Sequence, residues 1–255
     1  MNPAIAAMVL AGPLLFGQTL AGQNPSPKRR YFQAHTVPAG IRQIALALGP
    51  RVQMPGRERM IVTGTLARAG STSALRILRE LPGLARIEES GANGKILVFD
   101  FQRLTGRSPI DDSDEDLVES LEMDSTEQFL NSIAPGATVR LIGQRFQVRG
   151  EAGFGAQVDI LEMVLPMKSR RDREVRVKHF MFDTRTGLLR RVAYNTRKGN
   201  QLARIQTVIS DYTQIDGHPI PGKIARIVNG ITAFSFTRES AVILPAVDDN
   251  AFRAP

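Results

Sequence analysis

The chain changes hydrophobic texture three times. An uninterrupted apolar run opens it over residues 4–16. Ile41, Ile44, Ala45 and Leu48 then fall at i, i+3, i+4 and i+7, one face of a short helix that Gly49-Pro50 stops. Beyond that point the period drops to two. Strands are predicted over 59–69, 73–79, 84–89 and 95–102, with hairpin signals at Gly70-Ser71 and Gly91-Ala92-Asn93-Gly94. A second block of strand-length runs covers 138–149, 158–166, 174–183, 188–195, 202–215, 224–229 and 231–244. The spacing is that of a meander, without βαβ periodicity, and an antiparallel sheet of this size must curl or close. There is no internal repeat.

Between the two blocks, residues 112–133 read as helix. Leu117, Val118 and Leu121 form one apolar stripe; Phe129, Leu130 and Ile133 form another. The register breaks near Asp124, where Ser125 and Gln128 have capping-box spacing. Two short helices with a bend are expected, the first capped by Asp112 or Ser113 and the second ended by Pro135-Gly136.

Parity within the strands sorts residues onto faces. Val175, Val177, His179 and Met181 alternate with Arg176, Lys178, Phe180 and Phe182, and Phe234 and Phe236 share a face that Arg238 continues. The expectation is a sheet with one basic, solvated face and one apolar face. The concave side of a single curled sheet must be filled by its own side chains, by a helix or by a ligand.

Composition narrows the chemistry. The 255 residues are 42% hydrophobic and 23% charged, enough for a sizeable core. The absence of cysteine removes disulfide scaffolds, thiolate metal sites and a cysteine nucleophile. No tryptophan and 6% aromatic residues speak against a base-stacking surface. The net charge is +8, but it is unevenly spread. Between Ser108 and Val139 there are nine acids and no Lys or Arg, which leaves a surplus of seventeen positive charges on the rest of the chain. The helix pair should therefore turn its apolar stripes to the sheet and its acids toward Arg-rich strand rims.

Residues 1–22 carry no charge and end in small residues, which reads as a secretory signal peptide cleaved near Ala21–Gln23 and a periplasmic location. An uncleaved anchor is the weaker reading, since the apolar run falls short of the ~20 residues of a membrane span. Gln23 stands where a lipidated cysteine would be. Residues 23–38 form a Pro-containing flexible linker, in which Lys28, Arg29 and Arg30 are a solvated spacer or a membrane-surface contact.

Catalytic and metal signatures are missing from the local sequence. Asp112, Asp114 and Asp116 imitate a calcium loop, but Leu117 and Met123 stand where it needs Gly and Glu. Gly150 to Gly155 has neither dinucleotide nor P-loop spacing, and His35, His179 and His218 are scattered. There is no Gly-x-Ser-x-Gly elbow. The basic cluster Lys168-Ser169-Arg170-Arg171-Asp172-Arg173 reads as a solvated loop rather than a nucleic-acid surface. No catalytic residue, cofactor, metal or nucleic-acid partner is expected.

Three stretches carry a family resemblance. Phe182-Asp183-Thr184-Arg185-Thr186-Gly187-Leu188-Leu189 resembles an Asp-x-x-Thr-Gly-Leu strand–turn–strand. Asp211-Tyr212-Thr213-Gln214-Ile215-Asp216-Gly217 through Pro221 resembles an Asp-Tyr-x-x-(Val/Ile)-Asp-Gly-x-x-x-Pro turn, and Asp248 to Pro255 resembles a closing Asp-x-x-x-Phe-x-x-Pro. The segment Ile41 to Leu48 followed by Thr63-Gly64-Thr65 is similar to the opening helix and first strand of the same family, the outer-membrane lipoprotein-sorting (LolA-like) superfamily. The resemblance implies a mainly β (α+β) fold over 39–255, a curved antiparallel half-barrel with an N-terminal helix and a helical lid near 112–134. It also implies an apolar cavity for lipid or lipoprotein acyl chains, with an envelope protein partner as the alternative. The lining is then expected from Val62, Leu75, Ile77, Val98, Phe180, Phe182, Val192, Ile205, Phe234 and Phe236, and the lid from Leu117, Val118, Leu121, Phe129 and Leu130.

Overall fold

The period-two alternation builds one sheet of twelve antiparallel strands. The computed structural model describes residues 58–252, apart from 81–82, 92–93, 101–102, 134–137, 148–156, 165–176, 199–200 and 246–248. The expected signal peptide, linker and opening helix, the Gly150–Gly155 turn and the Lys168–Arg173 loop lie outside the described residues.

The first block gives β1 (Glu58–Arg68), β2 (Ser71–Glu80), β3 (Leu84–Glu89), β4 (Lys95–Asp100) and β5 (Arg103–Gly106). The second gives β6 (Thr138–Gln147), β7 (Gln157–Val164), β8 (Val177–Asp183), β9 (Leu189–Lys198) and β10 (Gln201–Ser210). The short strands β11 (Thr213–Ile215) and β12 (His218–Ile220) pair only with each other, before β13 (Lys223–Val228) and β14 (Ile231–Pro245) return to the main sheet. Its order is β5-β4-β3-β2-β1-β14-β13-β10-β9-β8-β7-β6. The outermost strands β5 and β6 do not pair, so the sheet is an open, curved half-barrel. The chain reaches one edge at β5 and resumes at the other at β6, and the helical segment makes the crossing.

One strand was not predicted and one predicted run is divided. β5 forms an edge strand beside β4, beyond the predicted run 95–102. The run 202–215 stops at Ser210 because Asp211 takes a left-handed conformation, φ 57°, and β11 leaves the main sheet. Hairpin chemistry sets the tips of β11–β12 and β13–β14. Asp216-Gly217 and Asn229-Gly230 all have positive φ, as a two-residue turn matching strand twist requires.

Gly64 sits at a register shift between β1 and β14. A Cβ there would lie 2.2 Å from the Thr237 carbonyl oxygen and 2.7 Å from the Phe236 ring. The missing side chain lets Phe236 lie against β1. Alternate residues of the strands, Met60, Val62, Leu66, Leu75, Ile77, Leu97 and Phe99 among them, join the helices in one core on the concave face. A smaller cluster of Leu78, Val98 and Phe252 covers part of the convex face. There the C-terminal 3-10 turn Asp249–Phe252 lays the Phe252 ring under Arg59, 5.1 Å away, and Arg59 pairs with Glu80 at 3.2 Å.

Candidate functional site

The site is the concave face and the helical segment lying on it. Helix α1 (Asp112–Val118) is capped by Asp111, not by Asp112 or Ser113. The Asp111 carboxylate accepts from the backbone N–H groups of Ser113 and Asp114, and the Asp114 carboxylate accepts from the Asp111 N–H. Lys95 Nζ of β4 donates to both carboxylates, at 3.0 and 2.9 Å, and ties the helix start to the sheet. One π-helical turn (Glu119–Met123) follows α1, and α2 (Thr126–Ile133) begins after Asp124 and Ser125. Ser125 Oγ accepts from Gln128 N–H, so the expected bend and cap spacing are real. The bend comes through the π turn rather than a simple break between two helices.

Leu117, Val118, Leu121, Phe129 and Leu130 are all buried against the sheet. Phe129 packs on Phe180 and Phe182, with ring centroids 4.7 and 5.2 Å apart. Val62, Leu75, Ile77, Val192, Ile205, Phe234 and Phe236 belong to the same cluster. Val98 does not. It shares β4 with Leu97 and Phe99 but has the opposite parity, and it packs with Leu78 and Phe252 on the convex side.

The acids overturn the expected polar rim. Asp116, Glu122 and Asp124 are buried, Glu119 is half-buried, and their partners stand in the interior of the concave face. Arg226 of β13, whose side chain is fully buried, donates to Asp116 at 2.9 Å and to Glu119 at 3.1 Å. Its other terminal nitrogen donates to Ser120 Oγ at 3.0 Å and to the Tyr194 hydroxyl at 3.2 Å. Lys178 of β8 donates to Asp124 at 2.6 Å and to Glu119 at 3.1 Å, and its ammonium lies 4.3 Å from the Tyr194 ring centre. Thr207 of β10 donates to the second Asp124 oxygen at 2.6 Å. On the other half of the sheet, Arg79 of β2 places two nitrogens on one Glu122 oxygen and reaches the Leu121 carbonyl.

Burial and charge pull these groups in opposite directions. Burial raises the Asp124 and Glu122 carboxyls above their ordinary values despite their cationic partners. At Glu119 burial also opposes ionisation, but Lys178 and Arg226 prevail and hold the carboxyl at about 2. Burial likewise disfavours the Lys178 ammonium, yet Asp124 and Glu119 keep it above the ordinary amine value. The segment is thus held in one register by charge as well as by apolar contact.

Arg79, Lys178, Arg226, Tyr194 and Thr207 escaped the sequence reading, though parity carried a signal. Lys178 has the parity of Phe180 and Phe182, Arg226 that of Ile224, and Arg79 that of Leu75 and Ile77. A cation on the apolar parity of three strands, in a chain with one strongly acidic helix, is the mark of inward pairing. The expected apolar face is therefore not purely apolar, because these cations share it.

The fold is thus an open antiparallel half-barrel whose concave face is crossed by a helical segment. The structure is similar to the putative outer membrane lipoprotein-sorting protein domain from Vibrio parahaemolyticus, with a TM-score of 0.51, 14% identity and coverage of 86% of this chain and 97% of that one. It is also similar to a LolA superfamily protein from Nitrosomonas europaea, with a TM-score of 0.54, 12% identity and coverage of 84% and 97%. At these identities the likeness is one of fold. No protein-family model matches the chain, and no curated protein matches it in sequence.

Proposed function

We propose that this protein is a non-catalytic periplasmic holder or carrier of lipid or lipoprotein acyl chains, with the helical segment as a lid that occupies the acyl site when no ligand is bound. The observation carrying this reading is that five lid side chains, Leu117, Val118, Leu121, Phe129 and Leu130, fill the concave apolar face. Each fully buried large side chain contributes ~1.5–3 kcal/mol gross, so the lid's apolar contact is worth roughly 10 kcal/mol. About ten methylenes buried at ~0.8 kcal/mol each give ~8 kcal/mol. The two are close enough for exchange. Ion pairs in the interior add little net attachment, because desolvation offsets most of their attraction, but they allow only one seating. An attachment that is specific in register and modest in strength suits a lid that must leave and return. The uncharged apolar segment at residues 1–22 supports export.

The test is native mass spectrometry of the protein as purified, followed by uptake of a fluorescent fatty acid after delipidation. Bound lipid or saturable uptake is expected. Leu121→Ser with Phe129→Ser should change uptake while circular dichroism still shows the sheet. No lipid and no uptake would favour a second reading, an envelope interaction protein. The edge strand β6 supports that alternative, since it exposes Leu141, Ile142 and Phe146 and, among the described residues, pairs on one side only.

A further inference from the structure

A surface built for acyl chains alone has no use for cations in its interior. Yet Arg226 and Lys178 stand among phenylalanines and aliphatic residues of the concave face, with 0% and 4% of their side chains exposed. Taking a charge out of water costs several kcal/mol unless an opposite charge meets it. With the lid closed, Asp116, Glu119 and Asp124 meet it. A neutral chain entering in place of the lid would leave both cations facing hydrocarbon. The lid itself offers apolar side chains joined to carboxylates, which is the chemistry of an anionic amphiphile. Arg226 also has capacity that the lid does not use. Its Nε is buried without a hydrogen-bond partner, as is Thr196 Oγ1 of β9.

We infer that the ligand displacing the lid is an amphiphile with an anionic head, a carboxylate or a phosphate, which takes Arg226 and Lys178 over from Asp116, Glu119 and Asp124. The acidic turn of the lid then acts as an intramolecular competitor for the head-group site. This inference rests on the acyl-chain reading and adds the class of head group. Free anions lack the chain that must replace the lid's apolar side chains, so they do not open the site.

The experiment compares binding of a fluorescent fatty acid, its methyl ester and an alkyl phosphate of equal chain length to the delipidated full chain near neutral pH. The acid and the alkyl phosphate should bind at least tenfold more tightly than the ester, and the tighter of the two identifies the preferred head. Inorganic phosphate and acetate at millimolar concentration should not compete. Glu119→Gln, which removes one competitor carboxylate, should tighten the acid several-fold more than the ester. Arg226→Gln should reduce the preference for the acid. Because that change strands Asp116 and Glu119, the pair Arg226→Gln with Asp116→Asn provides a charge-balanced variant, expected to fold and, with Lys178 still in place, to keep only part of the preference for the acid. Equal binding of acid and ester by the unaltered protein would overturn the inference and leave the acyl-chain reading standing. Binding of none of the three would overturn both. Competition by inorganic phosphate, or equal tightening of acid and ester by Glu119→Gln, would also overturn it.

Discussion

Lys178 and Asp124 meet at 2.6 Å on the concave face, one from β8 and the other from the bend of the helical segment. The Asp124 side chain is wholly buried, and Thr207 holds its second oxygen. The pair fixes where the helical segment turns. Removing one partner leaves the other charge unmatched in a poorly solvated place. Lys178→Met should therefore cost about 3–5 kcal/mol in urea unfolding, and adding Asp124→Asn should recover most of the loss. Equal losses in the single and double variants would mean that the two residues are not energetically coupled.

The pH response follows from groups shifted in opposite directions. Glu119 is held at about 2, below its ordinary 4.5. A lowered carboxyl contributes stability that is complete above 4.5 and is lost as pH falls toward 2. Asp124 and Glu122, raised chiefly by burial, take up protons before it, and the native state gains relative to the unfolded state as they do. The melting temperature should stay level or rise slightly from pH 7 to 5, then fall steeply below 4.5. A steady fall from pH 7 to 5 would contradict the inward placement of Asp124 and Glu122.

Salt should matter little to the seating of the helical segment on the sheet. Screening acts on exposed charges beyond a Debye length of ~8 Å, and it hardly reaches pairs as buried as Arg226–Asp116 or Arg79–Glu122. Raising sodium chloride from 0.05 to 1 M should leave hydrogen-exchange protection of residues 116–124 unchanged within about twofold. A large loss would place these contacts at a solvated rim.

Gly64→Ala should be among the costliest small substitutions in the sheet. The new Cβ would meet a backbone oxygen at 2.2 Å as well as the Phe236 ring, and backbone cannot rotate away. Overpacking of this kind costs typically ~1–3 kcal/mol. Chemical denaturation measures it, and a loss below 0.5 kcal/mol would show that β1 and β14 can part there without penalty.

On the convex face, Phe252→Ala should remove the ring beneath Arg59 and open space beside Leu78 and Val98. A loss of ~3 kcal/mol is expected, with faster amide exchange in β3 and β4. Unchanged exchange there would show that the C-terminal turn contributes nothing to that edge.

Much of this molecule was legible in the order of its residues. Period-two runs with Gly, Asn and Asp between them give strands and tips, because backbone geometry makes side chains alternate and only certain residues accept positive φ. The stripes at Leu117 and Phe129 identify helix faces for the same kind of reason, and the break at Asp124 marks the bend. Those are relations among neighbours along the chain. Which strand lies beside which, and what stands opposite a helix across the sheet, depends on residues far apart in sequence. Arg226 and Asp116 are 110 residues apart, and Lys178 and Asp124 are 54 apart. Parity puts Lys178 on the side of Phe180 and Phe182 and Val98 opposite Leu97 and Phe99, but it does not say which side is concave or which carboxylate meets the lysine. Only closing the sheet into a half-barrel with the acidic segment across it decided those pairings, because a charge enters an interior only where tertiary structure brings its counter-charge.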